Sequence, residues 1–168
     1  MILMAIDPGP KESAWIKINM SLEALYRPEM LGYSTNRVVR NLLKIEHYDR
    51  LVIEECIARK WAGRSISDTA FEAGRFAECS TAGFKLISRS AVRGHLSPRG
   101  NDSTIINKMV QNFEPELYDD MSFGRITRPK MLIEAKKRFF VGFHDDIWQA
   151  FALGVTYIDK EGGKAWEN

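Results

Sequence analysis

Acidic residues at three separated places in this chain are positioned for chemistry. Asp7 closes the apolar run Ile2-Leu3-Met4-Ala5-Ile6 and is followed at once by Pro8-Gly9-Pro10. A second apolar run, Leu51-Val52-Ile53, ends in Glu54-Glu55, and Asp145-Asp146 opens an apolar segment near the end of the chain. A carboxylate at the end of a buried strand is costly unless a cation lies nearby or the group is neutralised. Two carboxylates about 4 Å apart repel by roughly 4 kcal/mol at an effective dielectric near 20. Three converging acids therefore raise one another's proton affinity unless a divalent cation neutralises them. Oxygen-only ligation suits Mg²⁺ or Mn²⁺. Two such ions about 3.5–4 Å apart can activate water and stabilise the leaving oxygen in phosphodiester hydrolysis. Each acid has a plainer reading alone: Asp7 as a turn residue, Glu54-Glu55 as solvated strand-end charge, Asp145 and Asp146 as a helix cap and first-turn acid. Their coincidence in one chain points to a shared metal site.

The elements that must position these acids follow from periodicity. Residues 2–6 read as a buried strand, Pro8-Gly9-Pro10 as a turn, and Ala14-Trp15-Ile16-Lys17-Ile18 as the return strand of a hairpin. A third strand is expected around 29–34, then a helix capped by Asn36 that carries Val38, Val39, Leu42, Leu43 and Ile45. Residues 50–54 form a second fully apolar strand, as at a sheet centre. A helix from about Asp68 to Ala82 carries the small residues Ala70, Ala73, Gly74 and Ala77 at helical spacing, a stripe suited to close packing within the subunit or across a dimer. Lys85-Leu86-Ile87 reads as a strand, 93–101 as a loop, and Asp102 or Ser103 as the cap of a helix with Ile105, Ile106, Met109 and Val110. The pattern predicts irregular structure over 114–130, a helix from Lys130 to Phe140, and a last helix from Asp145 to about Ile158. Strands first, then alternating helix and strand, give an α/β domain with a mixed sheet.

The chain has 168 residues, enough for one domain with a full core, and no linker or repeat divides it, so residues 1–168 are expected to form a single domain. The net charge is only +2, so any nucleic-acid surface must come from local clustering. Cys56 and Cys79 lack metal or redox spacing and fit a reduced cytosolic setting. No run approaches the ~20 apolar residues of a membrane span, and the first apolar run meets Asp7 too soon for a signal peptide.

In order and spacing, these segments resemble RuvC-type Holliday junction resolvases of the RNase H-like superfamily. Ala5-Ile6-Asp7-Pro8-Gly9 is similar to that family's first motif. The run Val52-Ile53-Glu54-Glu55-Cys56-Ile57-Ala58-Arg59-Lys60 is similar to the second, and the helix with Ala73-Gly74-Arg75 to the one that follows. Asp146-Ile147-Trp148-Gln149-Ala150-Phe151-Ala152-Leu153 is similar to the last, an Asp-led helix with alternating Ala. The short, divergent form looks most like bacteriophage or prophage versions. The resemblance implies an RNase H-like mixed five-stranded sheet flanked by helices. It implies Mg²⁺ or Mn²⁺ held by Asp7, Glu54 and Asp146, and a homodimer that nicks branched DNA in the bacterial cytoplasm. One departure stands out. The family's last motif has two acids three residues apart, and here Gln149 occupies the second position, so Asp145 is the candidate for the missing charge. His144 is a proton-shuttle candidate or an ordinary boundary histidine.

Lys60, Arg64, Arg93, Arg99 and Lys108 are the candidates for DNA phosphates, with Arg59 and Arg89 beside them. Trp61 or Ile57 can wedge into unstacked bases; Trp61 equally reads as a core-edge aromatic. Three other readings remain: an RNase H-like nuclease on another substrate, a non-catalytic junction-binding protein, and a phosphotransfer domain. The chain is too short for the two lobes that the last requires.

Overall fold

The computed structural model describes residues 1–20, 26–57, 63–98, 101–144 and 146–162. Five strands form one sheet: β1 (Ile2–Asp7), β2 (Glu12–Asn19), β3 (Arg27–Thr35), β4 (Arg50–Glu55) and β5 (Phe84–Ser88). Their order is β3-β2-β1-β4-β5. β2 runs antiparallel to both β1 and β3, while β4 runs parallel to β1 and β5. The expected mixed sheet is therefore present. β1 is central because it is apolar on both sides: Leu3, Met4, Ala5 and Ile6 are wholly buried.

The two-residue period of the strands sorts the core into two layers. Met4, Ile6, Trp15, Leu51 and Ile53 face α1 (Asn36–Ile45) and α2 (Arg64–Cys79). Leu3, Ala5, Ile16, Ile18, Val52 and Ile87 face the other layer. That layer holds α3 (Arg89–Leu96), α4 (Asp102–Phe113), α5 (Pro115–Ser122), α6 (Arg128–Ala135) and α7 (Ile147–Tyr157). Every residue of α7 from Ile147 to Thr156 is buried, which is why its sequence shows no polar face. α7 lies so close to the sheet that a Cβ on Gly154 would come within 2.5 Å of Ile18 Cδ1. Phe113, Phe139, Phe140, Phe143, Trp148 and Phe151 fill the space between α4, α7 and the turns after α6 with stacked, edge-on and tilted ring contacts.

Several boundaries differ from the sequence reading. The first four residues of the expected 93–101 loop are helical, since α3 begins at Arg89 and runs to Leu96, with Ser88 as its cap, accepting from the Ala91 amide at 3.2 Å. The stretch 114–130 contains α5 and most of the first turn of α6, each with proline in that turn, where its missing N–H costs nothing. α6 stops at Ala135 instead of reaching Phe140. α2 spans Arg64–Cys79, earlier than expected, and α7 begins at Ile147, with Asp146 at its cap. α4 is capped by Asn101, not by Asp102 or Ser103. Asn36 is not a side-chain cap either; α1 has Thr35 at that position. No helix among the described residues is long and apolar enough to cross a membrane.

Candidate active site

β1, β4 and β5 run parallel, so their carboxyl ends open on the same edge of the sheet, the usual location of sites in such sheets. One residue beyond the Ile6–Ile53 register pair come Asp7 and Glu54, on adjacent strands and on the face that α7 covers. Glu55 projects to the opposite face, where it lines a groove with Cys56, Ile57 and the small residues of α2. The period of the strand thus selects Glu54 over Glu55 as Asp7's neighbour.

The turn behind Asp7 is pinned by side chains. Ser13 Oγ donates to Asn36 Oδ1 at 2.7 Å and accepts from the Gly9 amide at 3.1 Å, and Asn36 Nδ2 donates to the Gly9 carbonyl at 3.0 Å. Ser13 and Asn36 are both buried, so this network fixes the turn from inside. Gly9 is required by close approach: a Cβ there would meet the Glu12 carbonyl oxygen at 2.3 Å.

A guanidinium joins the acids. From the first residue of α3, Arg89 Nε donates to Glu54 Oε1 at 2.7 Å and Nη2 to Asp7 Oδ1 at 3.5 Å. Its Nη1 lies 3.5 Å from Asp102 Oδ2 at the start of α4, and Arg93 Nη2 donates to Asp102 Oδ1 at 2.9 Å. Burial pushes the Asp7 carboxyl up from 3.8 to about 8; Glu54, Asp146 and Asp102 push the same way, and Arg89 opposes them. Burial also raises Glu54, against the hydrogen bond and charge of Arg89. Asp146, exposed at the cap of α7, is thus close enough for its charge to be felt at Asp7. Gln149 is buried on the first turn of the same helix.

No protein-family model matches the chain, and no curated protein matches it by sequence. Solved structures do. Thermus thermophilus RuvC matches with a TM-score of 0.60 at 13% identity, over 94% of this chain and 92% of that one. The same organism's RuvC in complex with a Holliday junction substrate gives 0.58 at 13% identity, over 96% of both chains. The fowlpox virus Holliday junction resolvase gives 0.50 at 19% identity, over 95% of this chain and 98% of that one. The chain has an RNase H-like fold of the RuvC type.

Within this RuvC-type fold the sequence-derived candidates separate into groups. Asp7 and Glu54 are brought together, with Asp146 nearby. Asp145, Arg59, Lys60, Trp61 and Arg99 lie outside the described residues. Arg64 is exposed on the first turn of α2, 3.8 Å from Asp68. Lys108 Nζ donates to Gln111 on α4 at 3.0 Å, and Arg93 is held by Asp102. Ile57 is exposed beside the end of β4. The carboxylate donors match the chemistry of a hard divalent cation. Among the described residues, no three Asp, Glu, His or Cys side chains are grouped to hold one ion together; the positive charge beside Asp7 and Glu54 belongs to Arg89. The sequence offers Arg89 as a DNA contact and Asp102 as a helix cap, and does not show that both sit with Asp7 and Glu54. The available signal was position: Arg89 directly follows a strand parallel to the one ending in Glu54.

Proposed function

We propose that the protein is a divalent-metal-dependent endodeoxyribonuclease that resolves four-way DNA junctions, or closely related branches, by paired nicks. The observation that carries this reading is the pairing of Asp7 and Glu54 at parallel strand ends, with the charge of Asp146 felt at Asp7, in a RuvC-type fold. The solved relatives described above include one bound to a Holliday junction substrate. Asp7, Glu54 and Asp146 would hold Mg²⁺ or Mn²⁺, with Asp145 next in sequence to supply a further carboxylate. A bound divalent ion supplies charge neutralisation at the attacking and leaving oxygens of a phosphodiester. The chain's own part is to hold Asp7 and Glu54 rigidly, since the Ser13–Asn36–Gly9 network leaves the turn after Asp7 little freedom.

Lys60, Arg64, Arg93, Arg99 and Lys108 are proposed to hold the DNA backbone, with Trp61 or Ile57 against unstacked bases at the branch. Paired nicks need two sites, and a second copy of the chain supplies the other. A groove of about 550 Å³ between α2 and β5 supports this, lined by Ala70, Ala73, Gly74 and Ala77 and by Phe84 and Leu86. Phe84 and Leu86 are 52% and 44% exposed on the last strand of the sheet, an apolar edge that a partner would cover. The expected setting is the cytoplasm of a bacterial host, for a phage or prophage protein. Competition tests the substrate assignment. With Mg²⁺ present, unlabelled four-way junction should suppress cutting of a labelled junction far better than an RNA–DNA hybrid or linear duplex of equal length. Preferred cutting of the hybrid would move the protein to another nuclease class, and binding without any cutting would make it a non-catalytic junction binder.

A further inference from the structure

Arg89 reaches three acids from three different elements. Its Nε engages Glu54 at the end of β4, one terminal nitrogen lies toward Asp7 at the end of β1, and the other toward Asp102 at the start of α4. The Asp7 and Glu54 side chains are only 8% and 13% exposed, so water does little to offset their mutual repulsion, and the guanidinium is the nearest compensating charge. Asp102 differs from them. Its side chain is 44% exposed, and it is already held by Arg93.

We propose that Arg89 is a built-in cation that competes with divalent metal for Asp7 and Glu54, so that loading the site requires the guanidinium to withdraw toward Asp102. This rests on the reading above, in which Asp7 and Glu54 are metal ligands. A guanidinium and a divalent ion cannot share the same carboxylate oxygens without strong repulsion between like charges. Withdrawal does not strand Arg89, because Asp102 lies within reach and faces solvent. Arg89 thereby protects the folded acid pair before loading and lowers the enzyme's affinity for free metal. It is a positioning residue with a regulatory effect, acting through the two carboxylates.

The test is direct metal binding without DNA, by calorimetric titration of MnCl₂ into wild type, Arg89→Gln and Arg89→Lys. Arg89→Gln removes the competitor and should bind Mn²⁺ about tenfold more tightly or better, a change of about 1.4 kcal/mol or more. Arg89→Lys keeps the charge but loses the fork that spans both acids, and should fall between the two. Lys136→Gln, an exposed lysine on the turn after α6, controls for net charge and should stay within about twofold of wild type. Equal or weaker Mn²⁺ binding by Arg89→Gln overturns the proposal. If Arg89→Gln fails to fold alone, Mn²⁺ should restore its far-ultraviolet circular dichroism at concentrations that leave wild type unchanged; failure to restore it overturns the proposal too. Metal bound equally by wild type and Arg89→Gln defeats this inference alone. Metal bound by none of the proteins defeats the metal-site reading beneath it.

Discussion

Replacing Asp7 by asparagine should stabilise the metal-free protein at neutral and alkaline pH while removing the proposed nuclease activity. Burial holds the Asp7 carboxyl at about 8, against 3.8 for the ordinary group. Between those values the folded state keeps a proton that the unfolded chain has released. The stabilisation is therefore complete below about 3.8 and is lost as pH rises through about 8. The slope approaches ~1.4 kcal/mol per pH unit, and integration from pH 5 to 8 gives roughly 3–4 kcal/mol. Asparagine has nearly the same shape and does not titrate, so the variant lacks this slope while sharing the other titrating groups with wild type. Urea unfolding in EDTA at pH 5, 6, 7 and 8 measures the difference. With a slope of about 2 kcal/mol per molar urea, the two midpoints should separate by a further ~1.5–2 M across that range, the variant being the more stable. Midpoints that move in parallel with pH would show that burial does not hold a proton on the Asp7 carboxyl at the end of β1.

Three further outcomes follow from the packing and surface. Gly154→Ala should cost about 1–3 kcal/mol in thermal or urea unfolding, because its Cβ would meet Ile18 Cδ1 at 2.5 Å where α7 crosses the sheet. Phe84→Glu combined with Leu86→Glu should turn the proposed dimer into a folded monomer in sedimentation velocity, since both side chains are exposed at the apolar groove; an unchanged dimer would put the interface elsewhere. Lys60→Glu combined with Arg64→Glu should weaken junction binding and flatten its dependence on salt, by about one unit of log–log slope per lost phosphate contact.

Much of the sheet was legible because its strands are apolar runs with clear ends. β1 and β4 stop at acids, and Pro8-Gly9-Pro10 marks the hairpin. Because β1 and β4 pair in register, the two-residue period also brings Asp7 and Glu54 to one face. The short helices were not legible. α3 and α5 have eight residues each, too few for a helical period to emerge, while α6 was expected but placed at 130–140 instead of Arg128–Ala135. Asn36 looked like a cap, yet its side chain spans 27 positions of sequence to hold the Gly9 carbonyl. The acid partners of Arg89 were hidden for the same reason. A basic residue after a strand looks like a surface group until the parallel pairing of β4 and β5 sets it beside Glu54, which no local pattern reveals.

On the proposed function, Asp7 and Glu54 serve hydrolysis of branched DNA in the presence of a divalent ion. A synthetic four-way junction, labelled on two opposing strands, tests it with wild type and Asp7→Asn, in Mg²⁺ and in EDTA. Wild type in Mg²⁺ should give symmetric nicks that DNA ligase reseals, while Asp7→Asn should shift the junction in a gel yet leave both strands intact. Full cutting by Asp7→Asn, or cutting by wild type in EDTA, would mean that Asp7 and a divalent ion do not carry the hydrolysis.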